Sequence, residues 1–141
     1  MSRRVRWTSI VVGGGMAFLV ASCGGMSQQE RQQASDAPRL SGSEISRTIA
    51  GNTMSGTMSN NDRWTEYYDA DGTIRGLYNG QERYTGAWRV EGDRMCWDYE
   101  DDSFDGCNAV GVSGNKVYFF DEDGSVSGTP ATLSPGNPSD L

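Results

Sequence analysis

The chain has 141 residues, 12 basic and 19 acidic, with no histidine and a formal net charge of −7. The length fits one domain of ordinary size. Without histidine, Ser-His-Asp and Cys-His arrangements are excluded, and the acidic balance argues against binding nucleic acid through a basic patch.

Arg3, Arg4 and Arg6 open the chain as a basic n-region, and Ile10 to Val20 follow as an apolar stretch too short to span a bilayer. Gly13 to Gly15 interrupt that stretch, which disfavours a transmembrane anchor. Leu19-Val20-Ala21-Ser22-Cys23 then resembles the lipobox of bacterial lipoproteins. The resemblance implies a signal peptide over residues 1–22 and a mature N-terminus at Cys23, outside the cytoplasm. Cys23 would carry the lipid, palmitate included. An aspartate after that cysteine retains a lipoprotein in the inner membrane. Gly24 stands there instead, so the expected location is the outer membrane, facing the periplasm. With the three arginines of the signal removed, the mature charge is 9 minus 19, or −10. Such acidity keeps a small exported protein soluble and monomeric, and it would suit a basic partner.

Residues 23–39 are rich in Gln, Ser, Ala and Gly. They read as a flexible tether with an end-to-end distance of roughly 20–25 Å. The folded domain is expected over residues 40–138, with 139–141 as a tail. Ser41-Gly42-Ser43-Glu44 fits a capping box, Leu40 and Ile45 take the positions of a hydrophobic staple, and Gly51 sits where a glycine cap is expected. One short helix over 42–50 follows. Beyond Asn52 the apolar period changes from helical to two, punctuated by Gly, Asn and Asp. Strands are expected at 53–58, 63–69, 73–78, 84–91, 94–99, 104–112, 115–120 and 125–133. The fold class is therefore mainly β: one short helix, then about eight antiparallel strands in a small barrel or sandwich.

Cys96 and Cys107 remain once Cys23 is lipidated. In an oxidising compartment they pair by default, and they stand opposite each other if the turn centres on Asp101-Asp102. Two cysteines so spaced are a poor zinc set, and no metal or other cofactor is expected. Asp98, Glu100, Asp101, Asp102 and Asp105 crowd the intervening segment, giving an acidic tip that could dock a basic protein. There is also an internal echo. Tyr67 to Gly76 and Phe119 to Gly128 share the pattern aromatic-aromatic-Asp-x-Asp-Gly-Thr/Ser-aliphatic-x-Gly. It admits either a duplicated hairpin or one turn solution reached twice. A calcium-loop reading fails, because Ile74 and Gly80 occupy the positions that need Gly and Glu. Acids are plentiful, but none sits in an apolar context that would raise a pKa for acid catalysis, so no enzyme is expected. Trp64, Trp88 and Trp97, with Tyr67, Tyr68, Tyr84, Tyr99 and Tyr118, read as core more than as a binding cup.

Leu40 to Ile45, Gly51-Asn52-Thr53, Trp64 to Tyr68 with Asp71-Gly72, and Gly86 to Cys96 together resemble an uncharacterised family of small exported alphaproteobacterial proteins. The resemblance covers most of residues 40–138 and supplies no activity. A fainter one is to the periplasmic lipoprotein inhibitors of c-type lysozyme, eight-stranded barrels with a Ser-Gly near a Tyr on an inhibitory loop. Ser113-Gly114 with Tyr118 is similar in kind, at a different spacing. The expected function is a non-catalytic, lipid-anchored envelope protein acting by binding or envelope structure. The alternatives are an inhibitor of a basic hydrolase and a carrier of a small apolar ligand.

Overall fold

The computed structural model describes residues 25–101 and 104–141; residues 1–24, with Cys23 and the expected signal peptide, and Asp102 with Ser103, lie outside the described residues. Two helices, α1 (Gln28–Asp36) and α2 (Gly42–Ile49), precede eight strands. These are β1 (Asn52–Thr57), β2 (Arg63–Tyr68), β3 (Thr73–Tyr78), β4 (Glu82–Glu91), β5 (Arg94–Tyr99), β6 (Gly106–Ser113), β7 (Lys116–Phe120) and β8 (Val126–Ser134). Each strand pairs antiparallel with the next. β1 pairs with β8 through Met54–Leu133 and its neighbours, so the sheet is a closed barrel, not a sandwich. Closure removes the free edges on which other chains could template. Among the described residues, no helix is long and apolar enough to cross a membrane.

Alternation sorts the side chains. Met54, Glu66, Tyr68, Ile74, Trp88, Met95, Val110, Val117 and Ala131 point inward and are buried. Trp97 and Phe119 join them edge to face, with ring centroids 5.1 Å apart, a favoured geometry. The expected capping box of α2 is present: the Ser41 N–H donates to Glu44 Oε2 at 2.8 Å, and the Ser41 hydroxyl accepts from the Glu44 N–H. Ile45 and Ile49, one helical turn apart, are fully buried in the same core. The Gly42 N–H donates to Asp93 in the β4–β5 turn at 2.8 Å. Helix α2 thus stoppers one end of the barrel. The β1–β2, β3–β4, β5–β6 and β7–β8 turns gather at the other end.

Where composition predicts a tether, residues 28–36 instead form α1, docked outside the barrel. Its capping box, Ser27 with Glu30, repeats that of α2. Ala34 and Ala37 are buried against the outward-facing rings of Tyr118 and Phe120. Arg39 lies over Phe120, 3.1 Å from the ring centroid, and donates to the Ala37 carbonyl at 2.9 Å. The Leu40 N–H donates to the Val110 carbonyl at 2.8 Å, pinning the segment that follows α1 to β6. The far terminus is fastened too, by paired hydrogen bonds between Asn137 and Leu141.

The echoed segments build the same turn. The Asp69 N–H donates to the Thr73 carbonyl and the Gly72 N–H to the Asp69 carbonyl; Asp121 repeats the first bond with Ser125, and Gly124 repeats the second with Asp121. Gly72 and Gly124 both have positive φ (94° and 83°), which explains glycine there. The faces differ, however. Tyr68 packs in the barrel interior and Phe120 packs outside, under α1. Pro130 falls beside a register shift in the β7–β8 pairing, where Val117 faces Ala131 but Phe119 faces Ser127. Such an irregularity tolerates a residue that cannot donate.

Candidate functional site

Among the described residues, two places that bring chemistry-bearing side chains together stand out. The first is inside the barrel. Glu66 is 5% exposed. Tyr68 donates to its Oε2, while Tyr84 and Tyr99 donate to Oε1 at 2.8 and 2.7 Å. Trp97 Nε1 donates to the Tyr68 hydroxyl at 3.3 Å. Tyr68 therefore accepts from the indole and gives its own proton to the carboxylate. Three glycines make room for the rings above this cluster. A Cβ on Gly56 would lie 2.7 Å from Trp64, one on Gly76 2.2 Å from Tyr84, and one on Gly86 2.7 Å from Tyr99. Each glycine faces its ring directly across the strand pair.

Burial raises the Glu66 carboxyl above its usual value, and the hydrogen bonds from Tyr68, Tyr99 and Tyr84 pull it back only in part. Burial and then the Glu66 charge push Tyr84 and Tyr99 up in turn. The expectation that no carboxylate sits in a context raising its pKa is thus corrected. The sequence places Glu66 between Thr65 and Tyr67 and gives only its period-two phase as a sign that it points inward.

The second place is a groove of about 650 Å³ beside the disulfide, lined by Arg94, Phe104, Asp105, Asp121, Glu122 and Asp123. Cys96 and Cys107 are paired across β5 and β6, with an S–S distance of 2.06 Å, as the spacing predicts. β6 begins at Gly106 rather than 104, so Phe104 stands in the turn, 63% exposed. Among the described residues it is the exposed large hydrophobic side chain. The groove carboxylates have local duties. Asp105 accepts from the Tyr99 N–H at 2.6 Å, Asp121 accepts from Asn108 Nδ2 at 3.0 Å, and Glu122 lies 3.7 Å from Arg94. Asp123 accepts from the N–H and hydroxyl of Ser125, and these bonds hold its carboxyl below the usual range.

The expected partner-binding set is only partly assembled. Asp98, Glu100, Asp101 and Asp105 are exposed on and beside the β5–β6 turn, and Asp102 lies outside the described residues. Asp105 closes that turn through Tyr99 and is not the unpaired charge that density alone implied. Ser113 and Gly114 are exposed in the β6–β7 turn, at the end stoppered by α2. Tyr118 is 1% exposed, packed under α1 with its hydroxyl 3.5 Å from Gln33. Ser113, Gly114 and Tyr118 therefore do not form one accessible surface. Sequence reasoning missed Phe104 because it put that residue on the strand, and missed Asp121, Glu122 and Asp123 because barrel curvature joins loops 16 or more residues apart.

Fold and site define a small up-and-down barrel with a filled interior and an acidic groove beside a disulfide. Compared with protein-family models, curated proteins and solved structures, the chain matches none.

Proposed function

We propose that this is a non-catalytic, lipid-anchored envelope protein whose barrel binds a basic partner protein at the groove beside the disulfide. The carrying observation is Phe104, 63% exposed at a groove edge shared with Asp105, Asp121, Glu122 and Asp123. An exposed ring among carboxylates suits an Arg or Lys side chain, which gains both cation–π and ionic contact. The filled interior favours surface binding over carriage of an apolar ligand, since Tyr68, Trp88, Met95 and Val117 occupy that space. Glu66 is the carboxyl best suited to acid catalysis, yet its oxygens are engaged by three phenols.

The test is photo-cross-linking in cells from residue 104, with residue 85 on the exposed outer face of β4 as control. A basic adduct from position 104 is expected, weakened when Asp121 and Asp123 are changed to Asn. No adduct, or equal yield from position 85, refutes the reading. The anchor is checked separately: the intact mass of membrane-extracted protein should carry acyl chains on Cys23, and Cys23→Ser should leave an unprocessed precursor.

A further inference from the structure

We propose that the flank formed by β8 and β1 is the face this protein lays against a phospholipid surface. The inference rests on the lipid anchor at Cys23. Residues 48–61 and 125–139 contain no ionisable side chain, in a mature chain whose net charge is −10. β1 and β8 lie wholly within those two stretches and are the hydrogen-bonded neighbours that close the barrel. Charge-free segments far apart in sequence thus become one continuous flank. Its outward residues include Ser55, Thr57 and Thr132, with the inward positions held by Met54, Ala131 and Leu133.

The described chain begins, at Gly25, beside this flank. A groove of about 420 Å³ separates it from the start of α1, bounded by Gly25, Met26, Glu30, Met58, Pro130 and Lys116 among others. Cys23 precedes Gly25 by two residues, a reach of at most about 7 Å when extended. Because α1 is docked and capped, the chain beyond Gly25 has little slack to pay out. The barrel is held close to the bilayer, on the side where the chain arrives.

Charge then selects the face. Anionic headgroups attract Lys and Arg near the surface, and they repel carboxylates by the same physics. A face rich in Asp or Glu would be pushed away. The β8–β1 flank presents hydroxyls and two methionines at the groove; the one carboxylate lining that groove, Glu30, is offset by the nearby Lys116 ammonium, which donates to Thr132 Oγ1 at 3.0 Å.

The test uses the chain from Cys23 onward, with a maleimide phospholipid coupled to that cysteine, the other two being held in the disulfide. Coupling makes the result independent of whether cells acylate Cys23, so failure of the anchor and failure of the orientation are distinguishable. The conjugate is placed in bicelles of phosphatidylcholine and phosphatidylglycerol carrying a paramagnetic headgroup. Relaxation of threonine methyl signals is then read. Thr57 and Thr132 should relax several-fold faster than Thr85 on β4. In a Thr57→Glu, Ser59→Glu variant, the enhancement at Thr132 should fall toward that at Thr85. Equal enhancement at all three sites would overturn the proposal, because the barrel would be tumbling on its tether. Broadening of the flank signals by soluble glycan strands, without enhancement from lipid, would assign the face to the cell-wall polymer and also overturn it.

Discussion

Replacing Tyr99 by Phe removes one proton donor from a buried carboxylate and leaves the ring that covers Gly86. The lost hydrogen bond is 2.7 Å long and ends on Glu66 Oε1. A hydrogen bond to a charged group contributes about 1.5–3 kcal/mol. Tyr99 is half-buried, so water partly replaces its hydroxyl and the lower part of that range applies, about 1.5–2 kcal/mol at pH 8. At about 4 °C per kcal/mol for a domain of this size, Tm falls by about 6–8 °C. The effect must depend on pH. The Glu66 carboxyl is raised in the folded protein, chiefly by burial, and titrates near 4.3 when unfolded. A group raised on folding contributes stability that is complete below its unfolded value and is lost as pH rises through its folded value. Wild-type protein should therefore gain stability from this group as pH falls from 8 toward 5. Tyr99→Phe steepens that dependence, since it raises the folded value further. Its cost should shrink at pH 5, toward the roughly 1 kcal/mol of a neutral hydrogen bond. Urea unfolding at both pH values measures the difference, with Glu66→Gln as the background that abolishes it. An identical loss at pH 8 and pH 5, or an unchanged difference in the Glu66→Gln background, would refute the account of Glu66 as the acceptor.

Gly76→Ala puts a Cβ 2.2 Å from the Tyr84 ring; overpacking and the displaced hydroxyl should cost about 1–3 kcal/mol by thermal melting. Gly106→Ala, with nothing within 4 Å of its Cβ, should be near neutral. Reducing Cys96–Cys107, which closes a segment of sequence separation 11, should lower stability by about 3 kcal/mol on the chain-entropy model, seen as a lower urea midpoint with reductant. Ala34→Glu forces a charge into the contact of α1 with Tyr118 and Phe120; the helix should leave the barrel, with increased binding of a hydrophobic dye and intact near-ultraviolet circular dichroism from the interior tryptophans.

The strands were legible because their period-two runs are long relative to the turns between them, and every turn carries Gly, Asn or Asp where the chain reverses. α2 was legible because its cap, staple and apolar pair all agree within a dozen residues. α1 was not, although Ser27 and Glu30 form the same capping box. It has no apolar stripe, and what holds it is the outer face of β7, whose Tyr118 and Phe120 look like core residues of either side. The disulfide was readable from register, since Cys96 and Cys107 oppose each other about a plausible turn. The Glu66 cluster was not. Its three tyrosines come from β2, β4 and β5, and a carboxylate in a strand ordinarily signals the wet face. Only barrel closure reveals that the phase of Trp64 and Tyr68 carries Glu66 inside with them.

The twin turns bear on ancestry. They close β2–β3 and β7–β8, so corresponding strands are five apart in chain order. Strands in an up-and-down barrel alternate in direction, and a tandem copy of a barrel segment keeps the polarity of its original only when the offset is even. Five is odd, so the second hairpin runs the opposite way and sits at the other end. A gene-doubled half-barrel would have left its echo at an even count. The shared Asp-x-Asp-Gly stretch is better explained by recurrence: a tight reversal between paired strands has few good sequences, and this chain arrived at one of them twice.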